Sequence, residues 1–468
     1  MDLAPIVVAL MLFGMTAVGL RHARKISSGE DFTLAGRGLS APILTGTLVA
    51  TWIGTGSIFG NAQKAFEHGV AAFLLPLSGL LGMLLLAKIA PRVRELRATT
   101  VPAILGLRFG RAAQRLGAIA LIGAYLIIVS YQYRAGAAVA ERLFPDWDLN
   151  FLLGGKTRSF WPILCALFVI LYTALAGLWS VAHTDVIAGV VIAVGVLASL
   201  AVTTGGFRLE GVSLPETHLR LGGGFGAMEW VGYMLPPFLL IVGDANLLQR
   251  FMAAKSPMTA KRAAWGAFFG LLILESAIIA LALVGRSQLT AAPANPAHVI
   301  VEVAFTLVPP LLGAILAAAI VAVILSTADS FLLACSTSAA TDFRSSGHGP
   351  TAKTHRKSVF LFGILALGIA YTSDEFFSVA LYAYTLYGVT LTPAMVAAIF
   401  FPKTKPNAIV WGMASGLLVA IAWKLFEPET GVMHQLDPVL PALLSNVAVL
   451  FFLQCRSPKT GKLSPSNL

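Results

Sequence analysis

The sequence predicts an all-α polytopic membrane protein of about thirteen transmembrane helices, ten of them forming an inverted five-plus-five repeat with two broken helices. Three observations predict it. The 468 residues are 57% hydrophobic and only 12% charged, where a soluble chain carries about 45–50% apolar and about 25% charged residues. The apolar residues fall into runs near the roughly 20 residues that cross a bilayer core. Two of those runs, at 40–62 and 228–250, are interrupted by glycine or proline. This composition excludes a soluble enzyme, a disordered chain and a nucleic-acid-binding protein. Cys165, Cys335 and Cys455 all lie in apolar runs, which leaves no disulfide framework and no metal-ligand spacing. The first 20 residues lack a basic n-region and a cleavage site, and so read as a spanning helix rather than a cleaved signal.

The runs are 3–20, 40–62, 70–91, 114–138, 159–176, 180–203, 228–250, 261–285, 309–340, 355–372, 377–401, 407–425 and 438–455, numbered here as spans 1 to 13. The longest polar connections, 139–158 and 204–227, are short loops. Placing the N-terminus outside puts 24 of the 33 Lys and Arg on one side. Acidic residues do the reverse, with 14 of 22 on the opposite side. By the positive-inside rule the N-terminus is outside and the C-terminus cytoplasmic, in a plasma (inner) membrane. The net charge of +11 is then mostly an inner-face bias. It is spread over six loops and forms no nucleic-acid patch.

Span 2 carries Ile53-Gly54-Thr55-Gly56-Ser57 at its middle, and span 7 carries Leu235-Pro236-Pro237. Glycine in a helix interior costs about 1 kcal/mol and proline about 3, with loss of a backbone donor. In hydrocarbon such freed backbone survives only where it lines a cavity or is buried in protein. Spans 2 and 7 lie five crossings apart and run in opposite directions. Matching interruptions of this kind point to an inverted-repeat transporter, although glycine and proline are also commoner in membrane helices generally. The expected organisation is an extra helix and inner loop over 1–39, a first repeat over 40–203, a second, inverted repeat over 228–401, and two helices with a short cytoplasmic tail over 402–468.

Several short stretches resemble the sodium:solute symporter family. They are Asp31-Phe32 with Ala35-Gly36-Arg37; Ala50-Thr51-Trp52-Ile53; Thr100-Val101-Pro102 with Arg108-Phe109-Gly110; Tyr172 to Leu178 followed by Thr184-Asp185; Gly243-Asp244 with Gln249-Arg250 and Ala253-Ala254-Lys255; and Ser326-Thr327-Ala328-Asp329-Ser330. Together they run in the right order from about residue 28 to 425. One departure is Ala176, where the family usually has a glycine. The resemblance implies the inverted-repeat fold shared with the neurotransmitter:sodium symporters.

It also implies a sodium site between span 2 and span 9. A Na⁺ ion needs several hard oxygens, and an unwound turn supplies free carbonyls. Ala50 and Ile53 precede the Gly54/Gly56 break, and Ser326 and Thr327 are adjacent hydroxyls in span 9. With the carbonyl of Val323 these match the family's sodium ligands. Without the resemblance, the two hydroxyls could equally bond back to their own helix. Asp185 is implied as a ligand of a second ion or an exit relay, against a helix-capping role beside Thr184. Where relatives bind two sodium ions, the position of Val323 is often a hydroxyl. Asp244, near Arg250, reads as a structural salt bridge or gate, and Asp329 as a support for the site. Glu275 has no assigned role, and His183 reads as interfacial.

The solute is expected at the midplane, where Trp52, Tyr131, Tyr133, Tyr233 and Tyr384 supply aromatic faces and Gln132, Thr55 and Ser57 polar handles. Aromatic residues in membranes also serve as interfacial anchors. The run Ala50 to Gly56 is similar to the choline-transporting branch of the family, and a Trp/Tyr box suits a quaternary ammonium by cation–π contact. The expected function is therefore Na⁺-coupled symport of a small organic solute, choline- or betaine-like or another small polar metabolite, with Na⁺ as the coupling ion and no other cofactor. The alternatives are a proton-coupled transporter of the same fold or a membrane solute sensor. A membrane enzyme is disfavoured, because the eight histidines are scattered. The partners are the solute, Na⁺ and the lipid bilayer, with no nucleic acid and no required oligomer.

Overall fold

Apolar runs in hydrocarbon must satisfy their own backbone, so even β-branched blocks such as Val190-Val191-Ile192 become helices, and the described chain is helical almost throughout. The computed structural model describes residues 3–23, 26, 28–96, 98–147, 150–153, 156–206, 213–344, 350–372, 377–426 and 436–456. The helices are α1 (Leu3–Ala23), α2 (Gly29–Leu34), α3 (Ala41–Trp52), α4 (Ala62–His68), α5 (Leu75–Glu95), α6 (Val101–Phe109), α7 (Arg111–Leu143), α8 (Trp161–Thr203), α9 (Ala227–Gly243), α10 (Ala245–Met252), α11 (Pro257–Gln288), α12 (Val299–Thr306), α13 (Pro310–Asp342), α14 (Ala352–Ala370), α15 (Phe377–Phe400), α16 (Pro406–Leu425) and α17 (Val439–Arg456). Two short strands, β1 (Asn150–Leu153) and β2 (Lys156–Ser159), pair antiparallel.

All thirteen apolar runs are helical. Among the described residues, nine helical segments are long and apolar enough to cross a membrane, and shorter apolar helices include Ala41–Trp52, Trp161–Leu175 and Val439–Cys455. The burial pattern is inverted relative to a soluble protein. Phe13, Val190, Ile273, Ile364, Trp411 and Phe451 face outward, while Thr47, Asp185, Arg250, Glu275, Ser326 and Asp329 are buried. Such a surface needs hydrocarbon around it, and charges inside such a bundle mark function.

The packing pairs relate the two halves. α7 packs on α13 and α5 on α11. α3 packs on α8 as α9 packs on α15, α3 on α11 as α9 on α5, and α7 on α8 as α13 on α14. Exchanging the first five spans with the second five maps each of these pairs onto another or onto itself. This is the pattern of a five-plus-five repeat.

Three features differ from the sequence reading. Spans 5 and 6 join without a loop: α8 turns at Gly177, whose φ of 55° and ψ of 177° suit glycine. A Cβ there would meet Phe32 and Ile26 at 2.9–3.1 Å. The second interruption lies at Gly243–Asp244 rather than at Pro236-Pro237, which sit inside an unbroken α9. Proline's φ is compatible with a helix, so the pair removes two donors without ending the helix. The short elements α2, α6, α12 and the strand pair also lie in stretches read as loop. Of these, α2 starts with a capping box between Ser28 and Asp31.

At the end of the bundle rich in Lys and Arg, the start of α3 is tied to the end of α10. Leu39 N–H donates to Ala253 O (3.1 Å), and Lys255 N–H to Leu39 O (2.9 Å). Gln249 Nε2 donates to Thr33 O at 2.6 Å. Arg37 adds bonds to Glu30 (3.1 Å) and to the carbonyls of Leu96 and Ala98. These bonds join the segments at that end.

Candidate ion and solute site

The first break places backbone oxygens where a helix would hide them. α3 ends at Trp52, and Ile53 turns out of the helix with ψ of 101°. The N–H groups of Ser57 and Ile58 both go to the Gly54 carbonyl, at 3.1 and 3.0 Å. The last carbonyls of α3, Ala50 among them, thus end a helix, and the Ile53 carbonyl is passed over. A π-helical turn over Gly56–Asn61 then leads into α4, a local form often found at functional sites.

α13 lies against this break. A Cβ on Gly54 would stand 2.9 Å from Thr327 Oγ1. That hydroxyl oxygen is buried and has no hydrogen-bond partner. A buried hydroxyl without a partner costs about 1–3 kcal/mol, so this oxygen calls for a ligand. Ala50, Ile53, Val323 and Ser326 are also fully buried. Gly54, next to Ile53, thus meets Thr327, next to Ser326, and the unpartnered hydroxyl there is of the kind an oxygen-seeking cation takes.

Beside it lies a charged cluster. Asp185 is fully buried in the interior of α8, which excludes a capping role. Its Oδ1 accepts from Ser326 Oγ at 2.6 Å. Its Oδ2 accepts from Arg250 Nη2 at 3.1 Å and from the Thr47 hydroxyl. Arg250 also donates to Thr47 Oγ1 (2.8 Å), to Ser330 Oγ (2.6 Å) and to Asn246. Asp329 accepts from Ser330 at 3.2 Å and lies within electrostatic reach of both Asp185 and Arg250. The expected pairing of Asp244 with Arg250 is thus replaced by an Asp185–Arg250 pair.

Asp244 instead builds the second break. Its Oδ1 accepts from Leu247 N–H at 2.7 Å and caps α10, and Tyr125 OH donates to Oδ2 at 3.3 Å. Tyr387 OH bridges the gap, donating to Gly243 O at 2.8 Å and accepting from Ala245 N–H at 2.9 Å. Neither Tyr125 nor Tyr387 was singled out from sequence. Their only signal was a polar hydroxyl in the middle of an apolar helix.

A cavity of about 110 Å³ lies between the two breaks. Trp52, Thr55, Ser57, Tyr131, Gln132, Tyr233 and Tyr384 all line it, with Thr51, Asn61, Asp244, Glu275 and Thr327. Tyr133 does not. At 3.6 residues per turn its side chain leaves the face that carries Tyr131 and Gln132, and it points toward Cys165 and Cys335. Gln132 Nε2 donates to Thr55 Oγ1 at 2.9 Å, while its buried Oε1 has no partner. Tyr131 and Tyr384 share a hydroxyl contact at 3.2 Å. Glu275 accepts from Trp52 Nε1 (2.9 Å), Ser57 Oγ (2.6 Å) and Asn61 Nδ2 (3.1 Å). No Lys, Arg or His is among the described residues that line the cavity. His183 lies elsewhere, stacked on His22 at 4.1 Å.

Two interrupted spans of opposite direction, enclosing a cavity with unpartnered oxygens, define a secondary transporter of the inverted-repeat class. More particularly, the chain belongs to the sodium:solute symporter family, whose sequence model matches residues 32–416. It is a multi-pass membrane protein and a Na⁺-coupled solute symporter, not an enzyme. It is 24% identical to a sodium/proline symporter of Staphylococcus aureus strain JH9, over 99% of this chain and 94% of that protein. Among solved structures it is similar to a substrate-bound, outward-open Na⁺-coupled sialic acid symporter, with a TM-score of 0.78, 16% identity and 97% of each chain covered. A nucleobase-cation-symport-1 family transporter, Mhp1, aligns with a TM-score of 0.63, 13% identity and 90% and 92% coverage. These two likenesses concern the fold alone.

Proposed function

We propose that this symporter carries a small solute with a positively charged nitrogen, by alternating access, with Na⁺ held at the first break. The observation that carries the ion site is the unpartnered Thr327 hydroxyl facing Gly54. In this reading Ser326 and Thr327 offer hydroxyl oxygens, and Ala50, Ile53 and Val323 offer carbonyls. Trp52, Thr55, Ser57, Tyr131, Gln132, Tyr233 and Tyr384 receive the solute. The aromatic walls, and the lack of a cation among the described lining residues, suit a choline- or betaine-like solute. A proline-like solute, as the relatives' name suggests, carries a cationic nitrogen too. A purely anionic solute meets no counter-charge among the described residues that line this cavity.

The bonds that tie Leu39, Thr33 and Arg37 to α10 and its surroundings must open for release at the basic end. The charge distribution supports placing that end in the cytoplasm of a plasma-membrane protein, with the N-terminus outside. The repeat boundaries 40–203 and 228–401 are part of the same reading.

A second reading concerns Asp185. Two carboxylates, Asp185 and Asp329, share the single guanidinium of Arg250. The formal excess of one negative charge suits a second cation or a proton. Uptake into proteoliposomes separates these. Concentrative uptake of proline, betaine or choline with an inward Na⁺ gradient, and not with K⁺ and a pH gradient, supports the sodium reading. Equal uptake with K⁺ and a pH gradient makes Asp185 a proton carrier instead.

A further inference from the structure

Among the described residues, five acids lie buried in helices of the bundle, and four of them are placed differently from the fifth. Asp185 pairs with Arg250, Asp329 lies near the same guanidinium, Asp244 caps the N-terminus of α10, and Asp342, at the end of α13 and off the cavity wall, accepts from Thr100, Gln114 and Ser338. Glu275 is different. It sits mid-helix in α11, only 2% exposed. All three of its partners are neutral: the indole N–H of Trp52, the hydroxyl of Ser57 and the amide of Asn61. An indole N–H can only donate, and with Ser57 it converges on the same oxygen, Oε1. The arrangement solvates an ionised carboxylate by dipoles but does not neutralise it.

The surroundings point the same way. Glu275 lines the cavity, whose described lining residues hold no basic side chain. Gln132 Oε1, another lining oxygen, is buried and lacks a donor. Of the lining tyrosines, Tyr131 and Tyr384 bring hydroxyls rather than cations, while the Tyr233 ring carries the Lys64 ammonium 5.2 Å from its centroid. The partner missing from Glu275 is therefore a cation that also brings apolar bulk or N–H groups. We infer that Glu275 is the counter-charge for the solute's positively charged nitrogen, held facing the cavity by Trp52, Ser57 and Asn61 of the broken helix.

This rests on the proposed solute class, and it adds a residue and a consequence. Because three donors to Glu275 come from the segment Trp52 to Asn61, a cation bound to Glu275 is sensed directly by the helix that forms the sodium site. Solute charge and ion occupancy are thereby linked through one short stretch of backbone.

The test uses purified full-length protein and thermal stabilisation in Na⁺ or K⁺. The probes are choline, glycine betaine and proline, set against 3,3-dimethylbutanol and cyclopentanecarboxylate, in which carbon replaces the charged nitrogen. At least one cationic probe should stabilise the wild type in Na⁺, and its carbon analogue should bind at least about 30-fold more weakly, the lower range for removing one member of a buried charge pair. Glu275→Gln should weaken the cationic probe by a similar factor, while Glu275→Asp stays within about tenfold of wild type. Both variants should keep stabilisation by Na⁺ alone, which reports folding and the ion site. Carbon analogues that bind as well as the amines overturn the inference, as does unchanged amine binding in Glu275→Gln, or no Na⁺-dependent stabilisation by any cationic probe. Loss of stabilisation by Na⁺ alone in the wild type would instead count against the ion site beneath it.

Discussion

Asp185 and Glu275 are two buried carboxylates that grip the same broken span at different points, Asp185 within α3 and Glu275 across its interruption. Each accepts a hydroxyl hydrogen bond at 2.6 Å, from Ser326 and Ser57 respectively. Each holds a side chain of that span, Thr47 for Asp185 and Trp52 for Glu275. The difference is the counter-charge. Asp185 has a guanidinium 3.1 Å away, and Glu275 has dipoles alone. A carboxylate paired within the chain works as a strut, whereas one left unpaired in a cavity is a receptor for charge. Side-chain type does not separate the two roles. What separates them is whether a cation is built in.

The largest expected effect breaks the strut. Arg250→Met leaves Asp185 buried without its cation, a loss of about 3–5 kcal/mol. The variant should melt well below wild type in Na⁺-containing detergent, and adding Asp185→Asn should restore part of the loss. Next come two glycines that sharpen the comparison. Gly54→Ala places a Cβ 2.9 Å from Thr327 Oγ1. Overpacking of this kind costs about 1–3 kcal/mol, and here it should appear as a raised Na⁺ requirement for uptake. Gly79→Ala would put a Cβ 2.4 Å from the Trp52 ring. It should dislodge the indole from Glu275 and weaken solute affinity, while stabilisation by Na⁺ alone persists. The smallest effect is expected at Tyr133. Its buried hydroxyl has no partner, so Tyr133→Phe should leave uptake near wild type, whereas Tyr131→Phe, at the cavity wall, should not.

The sequence carried the first break to the residue, because Gly54 and Gly56 flank the turn and no helix former competes there. It misplaced the second, because Pro236-Pro237 look disruptive and yet fit a helix, while Gly243-Asp244 look innocuous and in fact start a new one. Tyr133 was grouped with Tyr131 by proximity, though the helical period separates them. Glu275 was legible in part. It lies on the stripe Ala260, Ala264, Ala267, Leu271, Ile278 and Ala282 that α11 buries, away from the exposed Phe269 and Ile273. That stripe could have placed it inward, but it gave no hint of the three donors from a segment more than two hundred residues away. Long-range pairings such as Asp185 with Arg250 depend on which helices meet, and composition does not encode that.

The most direct measurement is a sodium titration of thermal stability for wild type and Thr327→Ala, without solute. The wild type should be stabilised saturably by Na⁺ and not by K⁺, and the variant should need about tenfold more Na⁺, as for loss of one ligand worth about 1.4 kcal/mol. A variant that titrates like wild type, or a wild type indifferent to Na⁺, would contradict the placement of the ion at the first break.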